Sequence, residues 1–317
     1  MKNILIVGAA GQIGSELVPF LRNVYGSSNV IACDIHDNVN PILKETGPFE
    51  ILDALDAVQF EELIKKHKID TIFNLVAVLS AKGEANPTLA WKINMGALFN
   101  ALELARAYQC AVFTPSSIGA FGKSTPQDGT PQDTIMRPTT VYGVSKVAGE
   151  LLADYYYLKF GVDTRGLRYP GIISNVTLPG GGTTDYAVEI YYKAIQEKKF
   201  TCNLKPGTFL DMMYMPDALK AVVELMEADP AKLKHRNCFN VSAMSFDPEI
   251  IAAEIRKHIS EFKIEYNIDP IRQSIAESWP NYMDDSAARA EWGWKPDYDL
   301  PRMTEDMLSI LSKRLIK

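Results

Sequence analysis

Asn3-Ile4-Leu5-Ile6-Val7-Gly8-Ala9-Ala10-Gly11-Gln12-Ile13-Gly14 is the stretch that decides the fold. An apolar run of strand length is followed at once by three glycines, and Gln12–Tyr25 then carries apolar residues at helical intervals. A phosphate approaching a strand-to-helix turn needs bare backbone, and the helix start offers it unpaired N–H groups and positive dipole character. Gly8, Gly11 and Gly14 supply turn, approach and packing respectively, with Gln12 and Ile13 at the helix start beside the phosphates. The spacing is Gly-x-x-Gly-x-x-Gly rather than the commoner Gly-x-Gly-x-x-Gly, so the glycines alone also fit a structural loop. Asp34 stands twenty residues after Gly14, at the end of the next apolar run, where a carboxylate accepts hydrogen bonds from ribose hydroxyls. It favours NAD over NADP, because it repels a 2′-phosphate and Ile35-His36 supplies no Arg to neutralise one.

Outward from this stretch, apolar runs alternate with longer segments of helical period, the pattern of βαβ units and a parallel sheet. The expected strands are Asn3–Val7, Asn29–Cys33, Thr71–Val76, Ala111–Pro115 and Thr164–Arg168; the expected helices are Gln12–Tyr25, Ala57–Lys66, Pro87–Tyr108 and Tyr142–Phe160. After Arg168 the alternation becomes irregular, with a further helix from Asp185 to about Lys198. The fold class is therefore α/β, a Rossmann-type doubly wound parallel sheet with a smaller C-terminal substrate-binding lobe. The division expected is 1–172 for the dinucleotide and 173–317 for substrate, with parts of 207–241 able to return to the main sheet.

Composition narrows the function classes. Of 317 residues 47% are hydrophobic, enough for a sizeable core, and 33 Lys and Arg against 39 Asp and Glu give a net charge of −6. Without a run of basic residues, nucleic acid is not an expected partner. No stretch approaches the roughly 18 uninterrupted apolar residues of a membrane span. Cys33, Cys110, Cys202 and Cys238 are widely spaced, as are His36, His67, His235 and His258, so neither disulfides nor a metal site is expected, and the thiols suit a cytoplasmic location.

Tyr142-Gly143-Val144-Ser145-Lys146 begins a helical segment, and residues four apart share one face. A phenol is a poor base at neutral pH, but a nearby ammonium favours its phenolate and makes proton transfer feasible. Lys146 can also hold the nicotinamide ribose. Thr114-Pro115-Ser116-Ser117 ends the strand between the glycine turn and this pair, and a hydroxyl from Ser116 or Ser117 can hydrogen-bond the reacting oxygen. Asp53 either reaches the adenine amino group or is a solvated residue before the next helix.

The chain resembles the extended short-chain dehydrogenase/reductase family through Gly8-x-x-Gly11-x-x-Gly14, Asp34, Asp53, Asn74-Leu75-Val76-Ala77, Asn94, Ser116-Ser117, Tyr142-x-x-x-Lys146 and Arg168-Tyr169-Pro170. The resemblance implies cofactor contacts from Leu75, Ala77, Asn94 and Tyr169, besides those of the glycine turn, Asp34, Asp53, Tyr142 and Lys146. Within the family the chain is most similar to the short-chain type of L-threonine 3-dehydrogenases, through Val78-Leu79-Ser80 and Pro179-Gly180-Gly181-Gly182-Thr183-Thr184-Asp185-Tyr186-Ala187. That implies NAD-dependent oxidation of the L-threonine β-hydroxyl. Helices Pro87–Tyr108 and Tyr142–Phe160 resemble those by which related enzymes pair, which implies a homodimer.

Nucleotide-sugar 4-epimerases with tightly bound NAD share this cofactor site and are the alternative. Relatives that bind nucleotide diphosphates commonly place an Arg before the Asp of the segment matching Gly207–Asp211. Here that position is Leu210, which cannot neutralise a phosphate. Gly180–Asp185 precedes a helix, and exposed N–H groups there suit a small carboxylate, with Asp185 or a nearby acid for an ammonium. Ser80, Tyr142, Thr184 and Trp279 complete the expected substrate pocket. The glycines also fit a mobile surface loop in which Thr184 or Asp185 caps the helix.

Overall fold

A computed structural model describes residues 1–178 and 180–315. Pro179, in the glycine-rich stretch quoted above, lies outside them. The first half runs β1 (Ile4–Val7), α1 (Gln12–Tyr25), β2 (Val30–Asp34), α2 (Ile42–Glu45), β3 (Phe49–Ile51), α3 (Ala57–His67), β4 (Thr71–Asn74), α4 (Ser80–Ala85), α5 (Pro87–Tyr108), β5 (Ala111–Phe113), β6 (Ser116–Ser117), β7 (Asp128–Thr130), α6 (Val141–Phe160) and β8 (Thr164–Arg165). Six of these strands form one parallel sheet in the order β3-β2-β1-β4-β5-β8. The order reverses between β1 and β4, and in such sheets ligands bind at the carboxyl ends of the strands beside that reversal.

Strand residues alternate between two cores, as the pleat requires. Leu5, Val7, Ile31, Ile72 and Val112 pack under α3, α5 and α6 with Phe60, Leu98, Leu102 and Tyr156. Ile4, Ile6, Val30, Ala32, Phe73 and Phe113 pack with Leu17, Val18 and Leu21 of α1. Each fully buried aliphatic or aromatic side chain contributes about 1.5–3 kcal/mol. The helices begin where side chains satisfy their first N–H groups: Asp56 caps α3, Asn86 caps α5 ahead of Pro87, and Thr140 caps α6.

The rest comprises β9 (Leu167–Tyr169), β10 (Gly171–Ile173), α7 (Tyr186–Glu197), β11 (Lys199–Cys202), β12 (Leu210–Tyr214), α8 (Met215–Glu227), β13 (Phe239–Asn240), β14 (Met244–Phe246), α9 (Pro248–Arg256), β15 (Lys263–Tyr266), α10 (Pro270–Ala276), β16 (Tyr282–Met283), α11 (Ser286–Trp292) and α12 (Leu300–Leu315). Its own core gathers Tyr186, Tyr191, Phe200, Leu210, Phe246, Phe262, Trp279 and Met307. The segment 207–241 returns to the first half through a helix: Ala218, Leu219 and Val222 of α8 join the core of Ile4 and Ile6. Among the described residues its strands pair elsewhere, β12 with β10 and β14, and β13 with β9. No described helix is long and apolar enough to cross a membrane, and no described group of three His, Cys, Asp or Glu could hold a metal.

Besides the short α2, α4, β6 and β7, which no expected element covers, two features depart from the expected elements. β3 was not expected, because Phe-Glu-Ile is a short, partly exposed edge strand without an apolar run. The strand expected over Thr164–Arg168 divides at Gly166: β8 completes the main sheet, whereas β9 crosses to pair with β6 and β13. A Cβ at Gly166 would lie 2.3 Å from the Cys238 Sγ and 2.7 Å from the Thr114 carbonyl oxygen. Gly166→Ala is accordingly expected to lower stability by about 1–3 kcal/mol, read as an earlier midpoint in urea unfolding. An unchanged midpoint would show that the crossing does not depend on a bare backbone.

Candidate active site

The turn after β1 is built for close approach. Gly8 has φ +84°, and a Cβ there would meet the Val76 amide nitrogen at 3.1 Å, while one at Gly14 would lie 2.7 Å from Ala9 Cα and the Gly8 carbonyl oxygen. α1 starts at Gly11 with no side-chain cap and no acidic residue in its first turn, leaving its N–H groups to a ligand. The Asp34 carboxylate is oriented by two backbone donors, Ala10 N at 3.0 Å and His36 N at 3.2 Å. Gly8, Gly11, Asp34, Asp53, Leu75 and Ala77 line one cleft of about 440 Å³, to which His36 and Lys92 also contribute and no Arg does. An uncapped helix start, a cradle that a Cβ would fill and an oriented carboxylate are what a dinucleotide requires. Asp53 lines this cleft while its Oδ1 accepts from Leu55 N at 2.9 Å, so it also shapes the local turn.

Leu75 and Ala77 also line the adjoining cleft, about 160 Å³, together with Gln12, Ile13, Ser80, Ser116, Ser117, Tyr142, Lys146, Tyr169, Thr184, Asp185 and Trp279. Tyr142 sits in the first turn of α6, whose start is held by Thr140 Oγ1 on Gly143 N and by Glu84 Oε1 on Val141 N. A Cβ at Gly143 would lie 2.2 Å from the Gly119 carbonyl oxygen, so the helix start packs directly on the turn after β6. Lys146 Nζ donates to the Pro115 carbonyl at 2.6 Å and lies 5.4 Å from the Tyr142 ring centroid.

The two serines differ. Ser116 is buried, and its hydroxyl donates to Glu150, whose carboxylate is also held by Arg168 Nη2 at 2.8 Å. Ser117 Oγ only accepts from Gly119 N at 3.1 Å, which leaves its proton for the cleft.

Three of the expected site residues have polar groups engaged within the protein. Asn94 lines a different cavity, and its amide is engaged within the protein: Oδ1 accepts from Val78 N at 2.7 Å, and Nδ2 donates to the Val78 carbonyl and to Ser145 Oγ. It fixes the loop after β4. The Tyr169 hydroxyl points away from the clefts and donates to the Ala218 carbonyl at 2.8 Å, in a setting where burial pushes the phenol well above its ordinary range. Two of the N–H groups in the stretch expected to hold a substrate carboxylate are taken: Asp185 Oδ2 accepts from Gly181 N at 2.8 Å and Gly182 N at 2.6 Å. Burial raises the Asp185 carboxyl despite those two donors.

Ser80 and Trp279 are buried and contribute to the cleft wall, and Thr184 packs where a Cβ at Gly171 would lie within 2.7 Å of it. Leu210 lies in the second core, away from both clefts. Lys92 and the Glu150–Arg168 pair were missed. Lys146 to Glu150 is a four-residue helical spacing that could have signalled the second, whereas nothing local marks Lys92.

The family described as NAD dependent epimerase/dehydratase matches residues 4–242. An uncharacterized epimerase/dehydratase of Staphylococcus saprophyticus is 55% identical over 98% of this chain and 97% of its own length. The crystal structure of an L-threonine dehydrogenase from Clostridium difficile is 57% identical with a TM-score of 0.98, covering 100% of this chain and 99% of that one. A monomeric L-threonine 3-dehydrogenase from a metagenome is 42% identical with a TM-score of 0.93, covering 98% and 99%.

Gly14→Ala is expected to weaken NAD binding at least tenfold, about 1.4 kcal/mol, because α1 must shift off β1. Calorimetric titration with NAD checks this, and unaltered affinity would remove the glycine turn from the cofactor site.

Proposed function

The chain belongs to the NAD dependent epimerase/dehydratase family, and we propose that within it the protein oxidises the β-hydroxyl of L-threonine to give L-2-amino-3-oxobutanoate. The observation that carries this reading is the second cleft: Tyr142, Lys146 and Ser117 open into about 160 Å³ with no Arg in its lining. That volume is below the roughly 300–1,000 Å³ of clefts that enclose drug-sized ligands, and it suits a small amino acid. Similarity to L-threonine dehydrogenase structures supports the same substrate. Where the epimerase alternative calls for a cation facing a diphosphate, Leu210 is core.

NAD, held along Gly8–Gly14, Asp34, Leu75 and Ala77, would supply the nicotinamide that accepts hydride from the threonine β-carbon. Tyr142 as phenolate takes the proton of the β-hydroxyl. The Lys146 ammonium favours that phenolate, and the Pro115 carbonyl fixes where the charge sits. Ser117 donates to the reacting oxygen and orients it. Asp185 turns Oδ2 to its own loop and leaves Oδ1 for the substrate ammonium, with Ser80, Thr184 and Trp279 closing the pocket.

Exposed Phe99 on α5 and Leu151, Tyr155 and Leu158 on α6 form an apolar face, and we assign it to a homodimer contact. One similar structure is described as monomeric, so light scattering is decisive: a dimer has twice the 35.3 kDa of the chain, and Leu158→Glu should restore the single-chain mass. A wild-type monomer overturns this assignment.

Tyr142→Phe should lower kcat by roughly 10²–10⁴-fold while NAD still binds. Ser117→Ala should cost more activity than Ser116→Ala. NADH absorbance with L-threonine reads both, and a wild-type protein that forms no NADH contradicts the proposed reaction.

A further inference from the structure

Glu150 and Arg168 form a buried ion pair one helical turn beyond Lys146, and the chemistry above does not use it. Arg168 Nη2 donates to Glu150 Oε2 at 2.8 Å, its Nε lies 3.1 Å and 3.2 Å from the two carboxylate oxygens, and Ser116 donates to Oε1. From behind, Arg168 Nη1 is held by the Gln132 carbonyl at 2.7 Å and Asn240 Oδ1 at 3.0 Å, and the guanidinium lies 5.3 Å from the Phe121 ring centroid. Buried pairs are weak sources of stability, because desolvation offsets their attraction, so this one calls for another explanation.

Its position supplies one. Lys146 and Glu150 are four apart on α6 and line the same cavity of about 20 Å³, a space for a single water. Left unpaired, the Glu150 carboxylate would draw the Lys146 ammonium back along the helix and would set a negative charge against the Tyr142 phenolate. We propose that Arg168 is a positioning residue that neutralises Glu150, leaves the Lys146 ammonium directed at Tyr142, and so sets the pH range in which Tyr142 acts as base. Asp133, exposed in the segment between β7 and α6, meets His235 Nε2 at 3.3 Å, and the remaining charged or titratable groups around the pair are engaged or buried. Glu84 of α4 accepts from Val141 N, Asp154 of α6 accepts from Asn237, Asp185 across the cleft holds Gly181 and Gly182, and burial keeps the Cys238 thiol neutral.

The threonine reading enters only through the assay. In kcat against pH with NAD and L-threonine, Arg168→Met leaves a negative charge beside the phenol and should move the acid limb up by about one pH unit. Glu150→Gln leaves a positive charge and should move it down, and the double variant should return it close to wild type. Shifts in the same direction, or loss of activity with an unmoved limb, would reduce the pair to a structural role. If Arg168→Met does not fold, Arg168→Lys should keep the limb in place while Glu150→Gln still lowers it, and any other result overturns the proposal. Tyrosinate absorbance, taken as each protein minus its Tyr142→Phe counterpart, reads the same shifts without turnover. A wild-type protein inactive on threonine therefore refutes the substrate while the pair is still judged.

Discussion

The Lys146 ammonium, held on the Pro115 carbonyl beside the Tyr142 ring, is the interaction around which the rest of the site is arranged. It requires α6 to start at a fixed height above β6. Thr140 and Glu84 cap that start, and Gly143 and Gly119 let helix and turn meet without side chains between them. It also requires β6 to stay against α6, which Ser116 secures through Glu150. The Pro115 carbonyl thereby keeps the charge at one fixed place beside the phenol.

The same sheet order that makes the dinucleotide cleft brings this pair to it. Loops leaving β1 and β4 diverge at the reversal of strand order, and the segment after β4 supplies Leu75 and Ala77 to both clefts. Asn94 of α5 holds that segment by two hydrogen bonds to Val78 and reaches α6 by a third to Ser145. In the second lobe Leu210 packs into the core, and Asp185 folds the glycine stretch onto itself.

Much of this was legible in the sequence, for identifiable reasons. α1 and α5 run over Gln12–Tyr25 and Pro87–Tyr108 as read, because the glycines flanking α1 and Asn86-Pro87 before α5 are strong local punctuation. The glycine turn, Asp34 and Tyr142-x-x-x-Lys146 were legible because each is a short spacing on a recognisable element. Direction of side chains was not. Asn94 and Tyr169 stand where the family resemblance puts cofactor contacts, yet their polar atoms face the protein. Asp185 could be read as cap or as ligand, and only the positions of the Gly181 and Gly182 amides separate the two for Oδ2. Glu150 could be found from its helical spacing to Lys146, but its partner Arg168 is eighteen residues away on β9, outside the six-stranded sheet, and no local pattern points to it.

The central claim is that this cleft removes hydrogen from the β-carbon of a small hydroxy amino acid. It is tested most directly by following the label from L-threonine deuterated at that carbon, incubated with the protein and NAD. Mass spectrometry should find one deuterium in the reduced cofactor and none in the keto product's former carbinol position. Reduced cofactor without deuterium, or deuterated threonine recovered unchanged, would contradict it.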